Sequence, residues 1–154
     1  MENFEFKVTD EIRTLVAKIA NLYKANLEPS RSTGKLSNFQ TVHVSINDST
    51  FSIEFELEDY WKYVEYGRSK GKQPPIDAIE QWIRIKPIVP DPRSGRIPST
   101  KQLAYVIARK IGREGFKGKQ PLKKTIESQE FKDIERAIIQ ALKNQVAEYI
   151  NSTL

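Results

Sequence analysis

The chain has 154 residues, of which 38% are hydrophobic and 29% charged, with no cysteine and a single histidine. This length suits one domain over residues 1–154, and the composition is too polar for a membrane protein and too apolar for a disordered chain. Disulfides and cysteine-ligated metals are excluded, and a histidine-based catalytic centre would depend on His43 alone. We expect no membrane span or secretory signal, because no apolar run approaches about 18 residues.

The positive charge is confined to the middle of the chain. Residues 1–66 hold 7 Lys and Arg against 11 Asp and Glu, residues 67–125 hold 15 against 4, and residues 126–154 hold 3 against 5. A basic block of this kind attracts either nucleic acid or an acidic protein surface. Composition alone does not choose between these partners.

Two amphipathic helices are predicted towards the ends of the chain. Apolar residues at steps of three and four predict a helix over residues 9–26, and Ser128 is a suitable N-cap for a longer C-terminal helix. The apolar stripe of this second helix consists of Phe131, Ile134, Ile138, Leu142, Val146 and Tyr149.

Between these helices, residues 42–57 alternate between apolar and polar side chains around a turn at residues 47–50. The alternation predicts an antiparallel hairpin with one buried face. The predicted fold class is therefore α+β, with a hairpin or small antiparallel sheet packed against the N-terminal and C-terminal helices. His43, Glu54 and Glu56 would share the other face, as a solvated surface or as a divalent-metal site.

The segment after the hairpin is unusually rich in aromatic residues. A short helix is predicted from near Glu58 to Gly67, with the glycine as a left-handed C-cap. Its aromatic side chains cannot all share one face of so short a helix. They either pack on the hairpin or anchor a protein interface. These residues are Tyr60, Trp61, Tyr63 and Tyr66.

Two further helices and three extended arms are predicted before the C-terminal helix. One helix follows Pro74 and Pro75 over residues 76–86, and another begins behind a capping box formed by Ser99 and Gln102. The third arm alternates glycine with positive charge and resembles a loop that takes its order from a partner. The arms cover about residues 68–75, 87–98 and 113–120.

Motifs that carry chemistry are absent from the sequence. There is no phosphate-binding glycine loop, no HExxH and no GxSxG. We therefore expect no enzymatic activity, no cofactor and no metal, and a metal-dependent nuclease using Glu54 and Glu56 remains the enzymatic alternative. The cations of residues 109–124 could neutralise phosphates, although only Phe116 lies among them in the sequence.

The stretches YVEYGRSKGKQPP and LAYVIARKIGREGFKGK, with an IxxWI helix between them, resemble the neck or tail-completion proteins of tailed bacteriophages. This head–tail connector class includes crAss-like phage ring proteins. The similarity runs from about Tyr60 to Ile126, and the proline-rich arm exceeds the minimal form of the class. The aromatic-Val-Glu-aromatic-Gly segment of the class matches Tyr63, Val64, Glu65, Tyr66 and Gly67.

The resemblance implies a non-enzymatic virion protein, made in the bacterial host cytoplasm, that forms a homo-oligomeric ring in the neck. Its implied partners are the portal and adjacent neck and tail proteins, with genomic DNA passing through the channel without sequence-specific binding and with no membrane involved. Sixfold or twelvefold symmetry would fit. The alternative is a basic nucleic-acid-binding accessory protein. The candidate interface residues are Tyr60, Trp61, Tyr63, Glu65, Tyr66, Arg68, Arg109, Lys110, Arg113, Lys117 and Lys119.

Overall fold

A computed structural model describes residues 4–27, 42–47, 50–57, 60–85, 95 and 97–154. Its elements, in chain order, are α1 (Asp10–Leu27), β1 (Val42–Asn47), β2 (Thr50–Phe55), α2 (Trp61–Tyr66), β3 (Gly67–Arg68), α3 (Ile76–Ile85), α4 (Thr100–Glu114), β4 (Phe116–Lys117), α5 (Pro121–Glu127) and α6 (Gln129–Thr153). The predicted arm over residues 87–98 lies outside the described residues, apart from Gly95, Ile97 and Pro98.

The chain divides into two compact units. The first unit comprises residues 1–29, 37–57 and 121–154, and the second comprises residues 30–36 and 58–120. The expectation of one domain over the whole chain stays a prediction.

The first unit confirms the predicted α+β class. Strands β1 and β2 pair antiparallel, with Val44 opposite Ile53 and Ile46 opposite Phe51, so the apolar residues share one face as the alternation predicts. Helices α1 and α6 pack together, and apolar side chains of the hairpin cover their buried residues. That buried cluster consists of Ile12, Val16, Ile19, Ile138 and Ala141.

Helix α5 was not expected, because the sequence predicts no helix between the arm at residues 113–120 and the N-cap Ser128. Seven residues are too few to display a helical stripe. The available signal is Pro121 at the first helical position, where its missing N–H and fixed φ angle are favourable. The Thr125 side chain of this helix is 1% exposed, accepts a hydrogen bond from Asn26 Nδ2 at 2.9 Å and donates one to the Pro121 carbonyl oxygen at 2.8 Å.

In the second unit, α3 packs against α4. The predicted capping box is confirmed, because the Ser99 side chain accepts from the Gln102 N–H and the Gln102 side chain accepts from the Ser99 N–H. The fully buried positions of α4 are Ala104 and Ala108, whereas the helical stripe that the sequence predicts here, Leu103, Ile107 and Ile111, is half-buried. Small side chains on the buried face let neighbouring helices approach closely.

Candidate interaction surface

The aromatic helix α2 presents its tyrosines to solvent. Tyr60 is 37% exposed, Tyr63 50% and Tyr66 70%, while Trp61 is half-buried with its ring centroid 6.1 Å from that of Tyr66. Three exposed tyrosines within seven residues are not core packing. Their exposure favours the interpretation that these side chains anchor a protein interface over the interpretation that they pack on the hairpin.

The chain leaves α2 directly into a second antiparallel pairing that the sequence did not predict. Strand β3 pairs with β4, with Arg68 opposite Phe116, and the contact extends in both directions. The Lys119 N–H donates to the Val64 carbonyl oxygen, and the Gly71 N–H donates to the Gly112 carbonyl oxygen, both at 2.8 Å. We call residues 64–73 together with residues 112–119 the basic ladder.

The sequence suggested that residues 113–120 take their order from a partner. In the structure, this segment pairs instead with residues of its own chain. Short extended segments carry too little apolar periodicity to be recognised as strands. Their pairing partners lie more than 40 residues apart in the sequence, which no local pattern reveals.

Glycine permits this pairing at both helix ends. Gly67 follows α2 with φ 80° and ψ −157°, and Gly115 follows α4 with φ 67° and ψ −166°. Both conformations are extended ones that essentially only glycine adopts, so Gly67 is not the left-handed C-cap that the sequence predicted. A methyl group on Gly67 would overlap the Phe116 carbonyl oxygen, and one on Gly115 would overlap that of Arg68.

The basic ladder brings two cationic runs together. Arg68 is half-buried, and its guanidinium donates to the Lys72 carbonyl oxygen at 2.8 Å while lying 6.0 Å from the Tyr63 ring centroid. Such a distance is within range of a cation–π interaction. The remaining cations of the ladder have exposed side chains. They are Lys70, Lys72, Arg113, Lys117 and Lys119.

Two carboxylates belong to the same region. Glu114 accepts a 2.7 Å hydrogen bond from Arg113, and this bond, with a smaller contribution from nearby Lys110, holds the pKa of the Glu114 carboxyl below its ordinary value. Glu65 is only 3% exposed, although the sequence places it among the interface residues. A side chain enclosed by its own chain cannot reach a partner, so we leave Glu65 out of the contact surface.

The outward face of α4 changes character along its length. Its first half exposes Tyr105 (47%) and Val106 (61%), and its second half exposes Arg109, Lys110 and Arg113. The apolar half borders an open groove of about 600 Å³. The apolar groove residues are Ile76, Pro98, Leu103, Tyr105 and Val106.

The polar face of the first hairpin offers no assembled metal site among the described residues. His43 lies opposite Glu54 and both side chains are exposed, but no group of three or more potential ligands occurs in the part of the chain that the structure describes. Within the same residues, no helix is long and apolar enough to cross a membrane.

The structure thus places the candidate interface residues in the second unit. Sequence reasoning found the aromatic and basic residues but treated them as separate features, because the aromatic helix and the segment 113–119 are distant in the chain. The apolar groove was missed, since Tyr105 and Val106 lie outside the stripe formed by Leu103, Ile107 and Ile111. No protein-family model, no curated protein and no solved structure matches this chain.

Proposed function

We propose that this chain is a structural protein of the neck of a tailed bacteriophage, where copies of it form a ring that joins the portal to the tail around the DNA channel. The proposal combines the sequence resemblance with one structural observation. The second unit exposes apolar side chains that a solitary subunit would be expected to bury.

Most of the exposed apolar surface lies on that unit. Of the twelve large apolar side chains that are exposed among the described residues, eight belong to the second unit. Surfaces that expose large apolar groups together are typical of contacts between proteins, in which Tyr is enriched. The eight are Tyr60, Tyr63, Tyr66, Ile85, Ile97, Tyr105, Val106 and Phe116.

The groove beside α4 is the proposed binding site for a neighbouring subunit. Its lining is almost entirely apolar, and a ring requires each copy to offer two different surfaces that fit each other. Tyr105 and Val106 stand at its edge with about half of their side chains in solvent. Their burial in a contact would supply the apolar core of the interface.

A double substitution, Tyr105→Ser with Val106→Ser, tests this assignment. Residues central to an interface contribute about 2 kcal/mol or more, so association should weaken by at least about 30-fold while the subunit stays folded. Size-exclusion chromatography with light scattering would measure association over a concentration series, and far-UV circular dichroism would verify the fold. Leu154→Ser removes another exposed apolar side chain, outside the groove, and should assemble like the wild type.

Electron microscopy gives the direct readout of the ring. The concentrated wild-type chain, or the chain mixed with portal protein, should form closed rings. A chain that remains monomeric under both conditions, and that is absent from purified phage particles, would contradict the proposed function.

A further inference from the structure

We infer that the basic ladder is a binding site for the phosphate backbone of nucleic acid, and that it binds without reading sequence. The site belongs to a single chain and does not depend on ring formation. It would give the second unit a function beyond that of joining neighbouring proteins.

The first argument is the density of positive charge. The ladder carries six cations on two paired segments, three on each, and five of them have exposed side chains. Of the two carboxylates in the ladder, Glu65 is buried and Glu114 is bound to Arg113. Arg109 and Lys110 extend the charge along the adjoining turn of α4. Cations in this number are what a polyanion with regularly spaced charges requires.

The second argument is the position of the aromatic rings. In the sequence, the tyrosines and the basic segment 113–119 are far apart, which argues against a nucleic-acid site. In the structure, Tyr63 lies beneath the Arg68 guanidinium, and Arg68 lies opposite Phe116, which is 43% exposed. Exposed rings interleaved with cations are typical of surfaces that bind nucleic acid, because bases and sugars stack on the rings while cations hold the phosphates.

The third argument separates this partner from an acidic protein. The ladder is held together by backbone hydrogen bonds and close-packed glycines, and its cations lie on the paired strands, in the bend at residues 70–72, just after β4 and in the last turn of α4. A surface that recognises one protein usually surrounds an apolar centre with charge, as the groove beside α4 does. Cations distributed along the whole surface in this way suit a long uniform anion better.

The test uses the full-length chain and a short fluorescein-labelled DNA duplex of mixed sequence, with binding followed by fluorescence anisotropy over a salt series. The wild type should bind, and its affinity should fall steeply with salt. A second duplex of scrambled sequence should bind equally well, and a single strand of the same length should also bind, because the phosphates are shared.

Two pairs of substitutions locate the site. Lys70→Gln with Lys72→Gln removes two cations from the ladder and should lower the slope of log affinity against log salt by about two. Lys132→Gln with Lys143→Gln removes the same charge from exposed positions of α6 and should leave the slope unchanged. Equal effects of the two pairs would show only a response to net charge and would overturn the site.

A gain-of-affinity variant completes the experiment. Glu114→Gln releases Arg113 from its ion pair, so the variant should bind the duplex more tightly than the wild type, whereas Glu130→Gln on α6 should not. Polyglutamate serves as the competing class of ligand. Salt-sensitive binding to polyglutamate without binding to either form of DNA would assign the ladder to an acidic protein partner and overturn the inference.

Discussion

At the scale of single residues, the basic ladder depends on glycine. Gly67 has a positive φ and also leaves the space that the Phe116 carbonyl oxygen occupies, so two separate physical constraints act on one position. Gly71 shares the positive φ, but a methyl group there would meet nothing within 4 Å. The two glycines therefore allow conformational strain to be separated from steric overlap.

We predict that Gly67→Ala destabilises the protein more than Gly71→Ala. Both substitutions incur conformational strain of about 1–3 kcal/mol, and only Gly67→Ala also forces β3 away from β4. Urea denaturation measures the free energy of unfolding, and amide exchange at Lys119, which donates to Val64 beside the strands, reports on the ladder. Equal losses from the two variants, with unchanged exchange at Lys119, would show that close packing of β4 does not constrain Gly67.

At the scale of elements, a buried polar contact holds α5 against α1. The Thr125 hydroxyl accepts from Asn26 and donates to the Pro121 carbonyl oxygen of its own helix, so this buried hydroxyl is satisfied both as acceptor and as donor. Seven-residue helices have little stability in isolation. The contact with α1 is therefore what stabilises α5 as a helix within the first unit.

We predict that Thr125→Val costs about 1–3 kcal/mol, because the isosteric side chain leaves the Asn26 amide and the Pro121 carbonyl group without this hydroxyl. Asn26→Ala should cost less in the Thr125→Val background than in the wild type, with a coupling of about 1 kcal/mol. Chemical denaturation of the four proteins in this cycle gives the value. Strict additivity would mean that the hydrogen bond between the two side chains contributes nothing.

At the scale of the whole molecule, the first unit is assembled from segments far apart in the sequence. The Gln145 side chain on α6 makes two hydrogen bonds to the backbone of Lys7 in the N-terminal segment. Its Oε1 accepts from the Lys7 N–H and its Nε2 donates to the Lys7 carbonyl oxygen, both at 2.8 Å. The Phe4 ring lies 5.0 Å from that of Tyr149 on the same helix. An amide contact at Lys7 and an aromatic contact at Phe4 thus join the N-terminal segment to α6, the first across a separation of 138 residues.

We predict that Gln145→Glu releases this segment. A carboxylate can still accept from the Lys7 N–H, but it cannot donate to the carbonyl oxygen, which it repels. The loss should be about 1 kcal/mol and should appear as faster amide exchange at Lys7. Gln140→Glu is the matched control, because the Gln140 side chain donates to Asn144 within α6. Similar exchange at Lys7 in both variants would contradict the role of Gln145.

Positive and negative charges are divided unequally between the two units. The first unit holds 9 Lys and Arg against 13 Asp and Glu, and the second holds 16 against 7. The excess of positive charge therefore belongs to the second unit, which also contains the basic ladder.

The elements that can be predicted from the sequence are those with a sustained hydrophobic period or a local capping signal. The stripe of α1, the alternation of β1 and β2, the capping box at Ser99 and the N-cap at Ser128 each depend on residues within a few positions of one another. Capping hydrogen bonds and the burial of one amphipathic face act over that same short range. The residue pattern of each element can therefore be recognised in the sequence.

The surface that the middle of the chain exposes depends on the tertiary structure. The two-residue strands β3 and β4 have no periodicity, and their pairing depends on Gly67 and Gly115, whose backbone conformations follow from close approach to a distant segment. Where these two segments pack together, Glu65 is buried, Arg68 lies over the Tyr63 ring, and Arg68 pairs with Phe116. Contacts between distant segments depend on the whole fold, which is why the candidate site could be predicted as a list of residues but not as a surface.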